Sequence, residues 1–83
     1  MHRLEMVLDH LAQAERHMRQ GEVLVRRQQQ LVRNLERDCH AQTLAQARDL
    51  LGKFEELQQM HVAERDRLLA EAGELRQGQQ SQG

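Results

Sequence analysis

The chain has 83 residues, 13 of them leucine and 13 glutamine, with one phenylalanine and no proline, tryptophan or tyrosine. This excludes the turn-punctuated, aromatic-rich sandwiches and barrels and points to long, solvated helices. Lys+Arg number 12 against 13 Asp+Glu, a formal charge of -1, so no global charge draws the chain to nucleic acid or an anionic membrane, and one cysteine excludes an internal disulfide framework.

The predicted class is all-α, an antiparallel two-helix hairpin. The first helix is expected over about residues 3–38, because Leu4, Val7, Leu11, Ala14, Met18, Gly21, Val25, Val32, Leu35 and Cys39 recur every three or four positions on one face. Continued in that register, the seam would meet Gln42, Gln46, Asp49, Lys53 and Glu56, so the phase breaks. A new stripe through Leu44, Ala47, Leu51, Phe54, His61, Leu68, Ala72 and Leu75 predicts a turn at about 39–43 and a second helix over about 44–76. Thr43 and Gln46 have the spacing of a capping box, which places the second helix start near Leu44. Residues 77–83 carry nothing apolar to bury and read as a flexible Gln/Gly tail.

Folded back near residue 41, the chain sets Leu35 against Ala47, Val32 against Leu51, Ala14 against Leu68 and Val7 against Leu75, large facing small. Gly21 falls opposite His61, where a missing side chain makes room for an imidazole. Gln28 reads as a polar, register-setting residue in the seam. The basic run from Arg16 to Arg37 is expected to lie across from Glu55, Glu56, Glu64 and Asp66, in screened pairs each below about 1 kcal/mol.

The stripes are wider than one seam needs. Leu8, Leu24, Leu31, Leu50, Leu57 and Leu69 sit beside it and broaden each face toward the pattern of bundles. Together with the seam residues they form an expected self-association surface, and the cheapest partner is a second copy. The prediction is a homodimer, as a four-helix bundle or coiled coil, acting as a non-enzymatic interaction or structural module that presents its polar face to a further protein.

Chemistry-bearing residues are few. His10 and His17 are seven apart on one face and His61 stands at the same level of the other helix, so His17, His61 and Glu64, or Glu15, are the candidate metal ligands of a bundle core. Di-metal bundles place the acid first in Glu-x-x-His, whereas His61-Val62-Ala63-Glu64 is reversed, so neither metal nor cofactor is expected. Cys39 lies between Asp38, which opposes a lowered thiol pKa, and His40. The hydroxyls are Thr43 and Ser81, the glycines are scattered singly, and the reading is not an enzyme. The alternative is a nucleic-acid face of Arg19, Arg26, Arg27 and Arg33, suited to phosphate but without an aromatic to stack a base. No signal peptide and no membrane span are expected, which implies a cytoplasmic protein.

Leu11-Ala12-Gln13-Ala14-Glu15-Arg16-His17, Leu35-Glu36-Arg37-Asp38-Cys39-His40 and His61 through Leu69 carry a resemblance covering roughly residues 8–70. The chain resembles short, uncharacterised bacterial proteins of rhizobial type, which implies a bacterial origin and no assigned activity. In that family the position of Cys39 is usually glycine. In shape alone, the expected hairpin is similar to the plasmid copy-number regulator whose hairpins dimerise and bind paired RNA loops.

Overall fold

The structure is a computed structural model that describes residues 2–82. Two helices account for nearly all of it: α1, Arg3–Asp38 (36 residues), and α2, Ala41–Gln82 (42 residues), packed side by side and antiparallel. The hairpin is a rod of 65 × 15 × 14 Å with a radius of gyration of 18.8 Å, where a compact domain of this length would have about 12 Å.

The reversal takes two residues. Cys39 adopts the left-handed conformation (φ 60°, ψ 38°), its N–H donating to the Glu36 carbonyl and that of His40 to the Leu35 carbonyl, both at 3.4 Å. These are the paired bonds of a Schellman cap. The His40 carbonyl then accepts the Leu44 N–H at 2.8 Å and opens α2. The capping-box expectation is thereby corrected: Thr43 lies inside the first turn of α2, because the left-handed residue turns the chain so tightly that no loop over 39–43 remains. At the far end α2 continues past residue 76 to Gln82, since glutamine is a good helix former and the single Gly78 costs only about 1 kcal/mol. The expected tail is therefore helical over its described backbone; Gly83 lies outside the described residues.

The seam is thin. Val7, Leu11, Ala14, Leu68 and Ala72 form a buried cluster against which Leu4, Leu8 and Leu75 pack. Val32, Ala47 and Gln28 are buried toward the turn, and among the described residues no large side chain is fully enclosed. Gln28 satisfies its burial by donating from Nε2 to the Ala47 carbonyl at 2.9 Å, one polar tie across an otherwise apolar interface.

Cross-helix charge pairing departs from expectation. The pairs that form are Arg3 with Glu71 at 3.0 Å and Arg48 with Glu36 at 3.1 Å. Glu64 and Asp66 bind Arg67 and Arg65 of their own helix, and among the described residues Arg26, Arg27, Glu55 and Glu56 form no ion pair. These four are all exposed, and helical spacing gives them different azimuths around the two cylinders. No helix among the described residues is long and apolar enough to cross a membrane.

Candidate functional site

One flank of the hairpin is a continuous groove between α1 and α2, lined by residues a heptad apart. On α1 these are Leu31, Leu24, His17 and His10; on α2 they are Leu50, Leu57 and Glu64, with His61 beside His17. Seven residues advance a helix by about 10 Å, so the groove has successive levels. Nearest the turn Leu31 faces Leu50, then Leu24 faces Leu57 with Phe54 beneath them, then come His17 and His61, and last His10 and Glu64. The four leucines remain 42–45% exposed, and no Asp, Glu, Lys or Arg lines the groove at the two leucine levels.

The opposite flank differs. Helical spacing places Leu8 and Leu69 there, but also Glu15, Glu22, Glu36, Arg48, Glu55 and Arg65. Leu8 is partly covered by the core cluster. Arg19, Arg26 and Arg33, also seven apart, lie on the far side of α1 from the groove, whereas Arg27, three residues after Leu24 and four before Leu31, borders it. Arg33 donates to Gln30 at 2.9 Å.

The expected pairing of Gly21 with His61 is only part of what the structure shows. His61 Cδ2 would lie 3.5 Å from a Cβ on Gly21, but the side chain that fills the notch is Gln58, whose Nε2 donates to the Met18 carbonyl at 2.7 Å. Sequence reasoning missed Gln58, although its place one turn before His61 was a usable signal. Its Oε1 is buried without a donor among the described residues.

Of the candidate metal ligands, the structure brings His17 and His61 together, with ring centres 5.6 Å apart and planes tilted by 48°. Glu64 lines the adjoining stretch but is engaged by Arg67, which donates to both carboxylate oxygens, at 2.6 and 3.2 Å. That hydrogen bond holds the Glu64 carboxyl below its ordinary pKa. Among the described residues no three His, Cys, Asp or Glu side chains are placed to hold a metal ion. Cys39 is exposed at the turn, its thiol 4.0 Å from the Arg37 carbonyl.

No protein family, curated protein or solved structure matches the chain. The functional reading rests on this geometry.

Proposed function

We propose that this hairpin is a non-enzymatic self-association module whose groove flank packs against a second copy to make a four-helix bundle. The observation that carries the reading is the gathering of Leu24, Leu31, Leu50 and Leu57 at two levels of one groove that no charged residue lines there. Exposed leucines scattered singly need no explanation, but an aligned set on a thin-cored rod does. A symmetric interface brings a patch against its own copy, so any charge near the axis would meet its like; leucine levels with no lining charge suit that partner. The test is molar mass by light scattering over a hundredfold dilution series with helicity followed by circular dichroism. Self-association predicts twice 9.7 kDa, with helix lost as the dimer dissociates; a fully helical monomer at every concentration overturns it.

A second reading, contact with nucleic acid through Arg19, Arg26, Arg27 and Arg33, draws support from the acidic neutralisation that these arginines were expected to receive across the seam and do not. Retention on RNA or DNA at low salt, lost at moderate salt and in an Arg26→Glu/Arg27→Glu variant, is its signature. No retention at low salt removes it.

A further inference from the structure

We infer that dimerisation completes a tetrahedral transition-metal site of the zinc class, with His17 and His61 of each copy as its four ligands. This rests on the self-association reading. Imidazoles bound to one tetrahedral zinc have ring centres roughly 5 Å apart, and His17 and His61, reaching from different helices, already stand at 5.6 Å. One chain supplies two ligands, half of a structural zinc shell. A two-fold axis along the groove supplies the other half without any new residue type. Bundles build metal sites from side chains that face one another across their cores.

The orientation of the dimer follows from the order of the groove's levels. Reading from the turn, these are leucine, leucine, histidine, and histidine with glutamate. A two-fold axis perpendicular to the rod through the His17 level would press the Leu24 and Leu57 level of one copy onto the His10 and Glu64 level of the other, burying a carboxylate against leucine. An axis along the rod packs leucine on leucine and histidine on histidine, and it sets the two Glu64 carboxylates, each paired with its own Arg67, at one level. The two turns then lie at the same end, and each helix still has antiparallel neighbours. Glu64 is not needed as a ligand, which agrees with its engagement by Arg67.

The experiment uses the full chain and zinc chloride alone. Sedimentation in EDTA first gives the dimerisation constant, which tests self-association independently of metal. Free zinc at about 100 times its dissociation constant then raises that constant about a hundredfold, with one zinc bound per two chains by calorimetry, and His17→Ala and His61→Ala each abolish the zinc effect while dimerising normally in EDTA. A chain that dimerises in EDTA but shows no response to zinc overturns the metal site alone. So does one zinc per single chain, or a zinc effect that survives in the His17→Ala/His61→Ala variant. Orientation is read from spin labels on Cys39, the sole and exposed cysteine. Turn-to-turn packing puts the labels within roughly two helix diameters, about 20 Å; a separation near the 65 Å rod length overturns the arrangement.

Discussion

Gln58 occupies the notch left by Gly21. Its amide nitrogen donates to the Met18 carbonyl at 2.7 Å, and a Cβ on Gly21 would lie 2.9 Å from its Cδ and closer still to its Oε1. The glycine therefore exchanges helix propensity for a cross-helix tie, while Gly52 and Gly73 face open space. Replacing either of those by alanine is expected to stabilise the fold by about 1 kcal/mol, or about 4–8 °C in Tm. Gly21→Ala gains the same propensity but swings Gln58 aside and forfeits a hydrogen bond of about 1 kcal/mol, so its Tm stays near the parent's. Thermal melts of the three variants check the contrast; a Gly21→Ala protein as stabilised as Gly52→Ala would show that the Gln58 tie contributes nothing.

The turn gives a second test. Cys39 is held at φ 60°, a conformation that costs an L-residue about 1–2 kcal/mol and glycine almost nothing. Cys39→Gly is expected to raise stability by about 1 kcal/mol in denaturant unfolding, and Cys39→Val to lower it by at least as much, because a β-branched side chain fits the left-handed region worst. Equal stabilities for the two would contradict a two-residue reversal at this position.

These two sites mark where the fold was legible and where it was not. The seam was legible because it obeys a period: Val7, Leu11, Ala14 and Val32 on one stripe and Ala47, Leu68 and Ala72 on the other are the buried apolar residues. Gln28 was readable as a seam polar residue, though its acceptor, the Ala47 carbonyl, was not. The start of α2 was misread because the Thr43–Gln46 spacing is a local side-chain signal, and the backbone cap at Cys39 and His40 overrode it. The cross-helix charges failed for a geometric reason: opposite position along the rod does not mean the same azimuth around it. The histidine pair was legible in level, while its 5.6 Å approach needed the packed helices.

Acid titration probes the far end of the groove. The Arg67 hydrogen bond favours ionised Glu64 and holds its pKa below the ordinary carboxylate value. A carboxyl whose pKa is lower folded than unfolded contributes stability above its unfolded pKa and loses it as pH falls through the folded one. The pair therefore holds at neutral pH and is lost as pH falls through the folded value. Carboxyl NMR titration should place Glu64 below the model-compound value of about 4.3 and return it there in Arg67→Ala. An unchanged Glu64 midpoint in that variant would assign the shift to another cause.

The leucine groove makes the most demanding prediction, because exposed leucines also stand elsewhere on the rod. Leu24 and Leu57 are 43% and 45% exposed in the groove, and Leu69 and Val23 are 48% and 44% exposed away from it. If hydrophobicity alone drove association, lysine at either pair would weaken it equally. If the groove is the interface, Leu24→Lys/Leu57→Lys takes four half-exposed leucines out of each dimer. At about 1.5–3 kcal/mol for a fully buried leucine, half that for each of the four gives on the order of 3 kcal/mol or more, roughly a hundredfold in the dissociation constant. Lysines facing their copies across the axis add repulsion, and the helices lose order as the dimer parts, since a seam with three alanines among its buried apolar residues gives each long helix little to hold. Val23→Lys/Leu69→Lys leaves both mass and helicity unchanged, because those side chains remain in water in either state. Sedimentation of the two variants at one concentration separates the cases: equal weakening would mean that the apolar flank is ordinary surface and that the groove, however well aligned, is not where two copies meet.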